Sequence, residues 1–272
     1  MILALFLQID IERDIRRLGA EDVAERDAAA ARLVAAGEPA VEALQKALDD
    51  PDPEIVARAT VILRAIRPSR LDSLFVDARA VVSDKSGERL DALVDEAKAL
   101  SADFWKAAAL EPGAGSLRRA GGLSRGTVDA VEDGILDGKR VLASNAEISV
   151  ASGSVIVIDG SLKADSLEGS IVIATGTVTV TAAEDCIIIA GGGVETNGAI
   201  TNSTVITPGP VSGKYVLESV VHAGKNATPQ VLYGGVLLNC DGGSSAEYGM
   251  DAPRRIDADA VKAWFEPRIR SK

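Results

Sequence analysis

The sequence predicts an α+β protein: an N-terminal α-helical module, then a C-terminal parallel β-helix with coils of about 16 residues and a terminal capping helix. Three observations carry this reading. Apolar residues recur at helical spacing as far as residue 110. A small residue, an apolar run and a closing glycine then repeat: Ser-Val-Ile-Val-Ile-Asp-Gly at 154–160, Ser-Ile-Val-Ile-Ala-Thr-Gly at 170–176, Cys-Ile-Ile-Ile-Ala-Gly-Gly at 186–192, Ser-Thr-Val-Ile-Thr-Pro-Gly at 203–209 and Ser-Val-Val-His-Ala-Gly at 219–224. The closing glycines, Gly160, Gly176, Gly192, Gly209 and Gly224, stand 16, 16, 17 and 15 residues apart. A fixed period of this kind is the mark of a solenoid. The chain divides into a helical module at 1–110, a connector or irregular first coil at 111–140, the β-helix at 141–240 and a C-terminal tail with a capping helix at 241–272.

The helical elements follow in order. Residues 21–35 place Val23, Ala30, Leu33 and Val34 at helical spacing, and Gly37 supplies a stop. Pro39 opens a second helix carrying Val41, Leu44 and Leu48, ended by the Asp-Asp-Pro-Asp-Pro run at 49–53. A third starts near Glu54 with Ile55, Val56, Ala59, Ile62 and Leu63 apolar, and closes before Pro68. Helices at 71–82 and 88–110 follow, the latter with Leu90, Leu93, Val94, Ala97, Leu100, Phe104 and Trp105. The glycines at 113, 115, 121 and 122 mark the change of structure.

The segment Asp52-Pro53-Glu54-Ile55-Val56-Ala57-Arg58-Ala59 resembles the Asp-Pro-x-x-Val-Arg-x-x-Ala start of a HEAT-like repeat. Arg26-Asp27-Ala28-Ala29 echoes it one repeat earlier, and Gly37 to Leu44 matches the family's turn and second helix. The resemblance covers some 60 residues and implies protein–protein contact. Repeats of this type need neighbours to bury their faces.

In the second half each coil supplies short strands that bond to the coils above and below at about 4.8 Å. Glycine at the corner is expected to supply a positive φ. Two residues beyond the first four corners, Leu162, Val178, Val194 and Val211 begin the next strand. Residues 141–148 read as an earlier rung and 231–240 as a terminal strand. In its period and Val/Ile interior this half resembles the bactofilins, which consist of a β-helix with flexible tails; the helical half is a departure from them.

Composition narrows the function. Aromatics make up 3% of the chain, which disfavours sugar-binding and base-stacking surfaces. A net charge of −11 disfavours nucleic acid, whose affinity comes from cations facing phosphates. The apolar run at 2–7 is too short to span a bilayer, so no integral membrane span is expected. Localisation is cytoplasmic by default, or envelope or exported if that run is a truncated signal. The chain has one histidine, His222, and two cysteines, Cys186 and Cys240, of which Cys186 is expected as a free buried thiol.

No catalytic or metal-ligating set and no cofactor are expected. The column Gly169, Asp185, Asn202 and Glu218 is polar enough to attract a hard cation, yet solvated turn residues explain it more simply. One pattern does suggest an interaction. Side chains alternate across a strand, so if Ile156, Val172, Ile188 and Val205 point inward, their apolar neighbours point out. Val155, Val157, Ile171, Ile173, Ile187, Ile189 and, in the same column, Ile206 are therefore expected to lie under another element. The helices at 71–110 are the first candidate and a second copy of the chain the other. With Ile256, Val261, Trp264 and Phe265 expected to cover the last coil, the reading is a non-enzymatic structural or scaffolding protein with a protein partner, a homodimer being one form open to it. A bactofilin-like polymer is the alternative, and a polysaccharide-acting β-helix enzyme is a more distant one.

Overall fold

The computed structural model describes residues 2–66, 69–110, 127–128, 134–238, 254–256, 259–262 and 264–265. Most of the connector, Cys240 and most of the C-terminal tail lie outside these residues. The chain forms two compact units, one of helices as far as Asp72 and one running from Ser73 to Trp264.

The first unit holds α1 (Ile2–Arg17), α2 (Val23–Ala36), α3 (Val41–Lys46) and α4 (Pro53–Ile66), with 3-10 turns at Glu38–Ala40 and Ala47–Asp49 flanking α3. Local chemistry sets the ends. The Asp22 carboxylate accepts from the Ala24 N–H at the start of α2. Gly37, at φ 63°, closes α2 by donating its N–H to the carbonyls of Leu33 and Val34. Leu18, Leu33, Leu44, Ala59 and Ile62 form the unit's core. Asp14, only 4% exposed, receives a two-pronged hydrogen bond from Arg32 at 2.9 and 2.8 Å. That pairing lowers the Asp14 pKa, despite burial, and Arg32 ties α1 to α2. Arg58 of α4 bonds both Glu54 and, at 2.8 Å, Asp27 of α2.

In the second unit α5 (Arg70–Asp84) and α6 (Gly87–Ala107) precede a parallel β-helix. Ser86 caps α6 by accepting from the Arg89 N–H. Strands from successive coils assemble into two parallel sheets. The first contains β1 (Thr127–Val128), β3 (Arg140–Ala143), β5 (Val155–Ile158), β7 (Ile171–Ala174), β9 (Ile187–Ala190), β11 (Thr204–Thr207), β13 (Val220–Ala223), β15 (Val236–Leu238) and β16 (Arg254–Ile256), in that order. The second contains β2 (Ile135–Asp137), β4 (Ala146–Ser152), β6 (Leu162–Glu168), β8 (Thr177–Glu184), β10 (Gly193–Thr201), β12 (Val211–Leu217) and β14 (Ala227–Tyr233). The α+β class and the coils of about 16 residues are as the sequence predicts.

The register stacks like on like. Val155, Ile171 and Ile187 are partners in neighbouring strands, as are Ile156, Val172 and Ile188. The inward set, with Ile148, Leu162, Val178, Val194 and Val211 from the second sheet, fills one continuous apolar interior. Strands of the second sheet are not straight alternators. In β4 both Ile148 and Ala151 are buried, with Ser149 and Val150 exposed between them, and the register steps over Ser149. Two successive outward residues turn the strand, so each coil gains a third side.

The corners depart from expectation. Gly176, Gly192, Gly209 and Gly224 do not take positive φ, and Gly160 alone of the five does, at 150°. The left-handed positions lie at the opposite corner: Gly153, Gly169, Asp185, Asn202, Glu218 and Gly234, with φ between 47° and 61°. What the closing glycines provide is room. A Cβ on Gly209 would stand 2.2 Å from the Gly192 carbonyl oxygen, and one on Gly176 would stand 2.7 Å from the Gly160 oxygen. Coils pack backbone to backbone there, and no side chain fits.

At the C-terminal end β16 pairs in parallel with β15 and extends the first sheet. The short helix α7 (Asp259–Lys262) packs against α6, with Val261 and Trp264 buried and the Trp264 indole N–H donating to Asp103 at 3.0 Å.

Candidate functional site

The residues singled out from the sequence fall on the outer side of the first sheet. Val155, Val157, Ile171, Ile173, Ile187, Ile189 and Ile206 are each at most 1% exposed. They are separate from the apolar interior, being the opposite faces of the same strands. Helix α6 packs over β9 and β11 on that side. Its contacts run along the coil axis: Asp91 pairs with Arg140 of β3 at 2.6 Å, and Phe104 meets the His222 ring of β13 edge-on at 5.9 Å between centroids. Arg79 of α5 adds a pair with Asp159 at 3.2 Å. These exposed pairs contribute little; the apolar contact dominates.

A small polar knot sits within this contact. The Thr204 hydroxyl accepts from the Trp105 indole N–H at 2.7 Å and shares a 2.6 Å hydrogen bond with Ser101. All three residues are at most 4% exposed. His222, 5% exposed, has Nδ1 2.8 Å from the Leu238 carbonyl; since a carbonyl only accepts, Nδ1 carries the proton. The histidine is thereby a packed member of the sheet, held by the Leu238 carbonyl and the Phe104 ring. Sequence reasoning missed Ser101 and Thr204. Serine on an apolar helix stripe and threonine in place of Val or Ile in a repeating column were the available signals.

The small-residue column, Ser154, Ser170, Cys186, Ser203 and Ser219, is a hydrogen-bond ladder. Each hydroxyl donates to the carbonyl two residues back, as Ser203 does to Thr201 at 2.7 Å and Ser219 to Leu217 at 2.7 Å. Each also accepts a backbone N–H from the coil below: Ser154 N–H reaches Ser170 at 3.1 Å, Cys186 N–H reaches Ser203 at 3.0 Å, and Ser203 N–H reaches Ser219 at 3.0 Å. Buried corner amides that a strand ladder would leave open are satisfied this way.

Cys186 occupies one rung of this ladder, free and 1% exposed, with its Sγ 3.1 Å from the Glu184 carbonyl. Burial pushes the thiol from its ordinary 9.0 up to about 12. Such a thiol is inert as a nucleophile. Because the folded value lies above the unfolded one, its contribution is fully present below pH 9 and is lost as pH rises from 9 toward 12. The loss is about 1.4 kcal/mol per pH unit in that window. We expect Cys186→Ser to remove this alkaline component from urea midpoints measured at pH 8 and pH 10, and to lie within about 1 kcal/mol of the parent at pH 7. Peptide mapping after alkylation should find Cys186 unmodified in the native protein and modified in urea; equal labelling in both would contradict the burial.

The corner column Asp185, Asn202 and Glu218 is solvent-facing and left-handed, and the Asn202 amide donates to Asp185 at 2.5 Å. No cluster of three or more metal-ligating side chains occurs among the described residues. In the helical unit, by contrast, a groove of about 540 Å³ opens between α1 and α3. Its floor is Ile11, Ile15, Ala43 and Ala47, and Glu12, Arg16, Glu42 and Lys46 stand on its rim. No helix among the described residues is long and apolar enough to cross a membrane.

Fold and faces together define a β-solenoid protein with a helical module. Compared with protein-family models, curated proteins and solved structures, the chain finds no match in any of the three.

Proposed function

We propose that this chain is a non-enzymatic scaffold that binds a protein partner through its helical module, on the rigid frame of the β-helix. The observation that carries the reading is the open, apolar-floored groove between α1 and α3, with acids and bases interleaved on its rim. An apolar floor supplies affinity and a mixed rim supplies orientation, the usual division of labour at a protein interface. The β-helix contributes stiffness: parallel ladders on each sheet, a hydroxyl ladder at one corner and a largely apolar interior. Its buried corner hydroxyls are engaged in holding the stack together.

A bactofilin-like polymer is the second reading. It draws support from β14, the end strand of the second sheet, which pairs only with β12 among the described residues. Pro229 on that strand removes a backbone donor and opposes addition of a further strand. Sedimentation velocity and negative-stain microscopy of the full chain separate the two. A discrete monomer or dimer at micromolar concentration is expected, and filaments would replace the scaffold reading with the polymer. For the groove, a partner retained by the parent chain and lost with Ala43→Arg is expected; retention by both would sink its role.

A further inference from the structure

The third side of the β-helix carries an apolar column that α6 does not cover. Ile135, Val150, Ser166, Ala182, Ala199, Tyr215 and Val231 are register partners from β2 to β14. Ile135 is 68% exposed, Val150 41% and Tyr215 42%, and Tyr233 in the adjoining column is 54% exposed. At about 4.8 Å per strand the column is roughly 29 Å long. A helix of about 20 residues has the same length.

Charge narrows the occupant. On one side of the column stand Asp137, Glu168 and Glu184, and at the bend on the other side Asp165. Lys214 is the only base among these flanking positions. A second copy of the chain would bring the same acidic flanks and a net charge of −11 to the contact, which opposes pairing. The other side of the same coils supplies the geometry, since α6 lies along the coil axis with its apolar stripe on stacked Val and Ile.

We propose that this third side docks an amphipathic helix of a partner protein, laid along the coil axis with Lys and Arg flanking its apolar stripe. Ala182 and Ala199 form the shallow centre that admits its larger side chains, Val150 and Tyr215 bound that centre, and the carboxylates receive the bases. This rests on the interaction reading above and adds a second surface to it.

The probe is a fluorescent 21-residue Leu/Lys amphipathic helix titrated with the full chain, followed by anisotropy. We expect saturable binding that weakens with added salt, and none for the same helix with Glu in place of Lys. Ala182→Arg, at a surface position, should weaken binding roughly tenfold or more while leaving the melting temperature unchanged. Glu168→Lys with Glu184→Lys should do the same by charge alone. Absence of binding, equal binding of the two peptides, or indifference to Ala182→Arg overturns the proposal. Loss of binding in Ala43→Arg but not in Ala182→Arg places the peptide in the helical groove, which ends this proposal and leaves the scaffold reading standing.

Discussion

Replacing Gly209 by alanine should destabilise the second unit by about 3 kcal/mol. The added methyl would lie 2.2 Å from the Gly192 carbonyl oxygen, a backbone atom that no rotamer change can move. Relief requires two coils to spread, which strains the strand ladders on either side. Glu218→Gly, at the opposite corner, should act the other way. Glu218 sits at φ 47°, where a side chain crowds the following carbonyl, so glycine should raise stability by about 1 kcal/mol. Urea midpoints of the two variants decide the matter. A neutral Gly209→Ala would show that the coils are not in backbone contact, and a destabilising Glu218→Gly would show that the left-handed corner is not strained.

The second large effect is expected at Thr204. Thr204→Val keeps the shape of the side chain and removes the hydroxyl that receives the Trp105 indole N–H and bonds Ser101. Two buried polar groups lose a partner at once, each costing about 1–3 kcal/mol. The net loss should be about 3 kcal/mol, read as a lower urea midpoint and a red-shifted Trp105 emission as α6 loosens from β11. Ser101→Ala, which leaves the Trp105 bond in place, should lose about 1 kcal/mol. A Thr204→Val protein as stable as the parent would mean that the knot does not tie helix to sheet.

The repeat was readable because a solenoid presents the same residue at the same place in every coil. Period, parallel stacking and a Val/Ile interior follow from columns such as Ile156, Val172 and Ile188 without any coordinates. Helix starts and stops at Asp22 and Gly37 were readable for a similar reason: caps act on backbone groups within four residues of themselves.

Other features were not local. A glycine looks the same in sequence whether it supplies a positive φ or empty space, and only the stacked coils assign the second role to Gly176, Gly192, Gly209 and Gly224. The bend rests on one residue that breaks alternation in β4, β6, β8, β12 and β14, and on two in β10, too short a signal to see in a single strand. The serine column was visible as a column, but which amides its hydroxyls serve depends on the offset between coils.

The sequence by itself determined the class, the period and the apolar character of both sides of the first sheet, because each is a pattern repeated within one chain segment. The tertiary structure alone decided which element lies on which side. Helix α6 and the strands it packs over, β9 and β11, are about 100 residues apart in the chain, as Trp105 and Thr204 are. Only packing brings such distant groups together, leaving the first side covered and the third with Val150 and Tyr215 open to solvent.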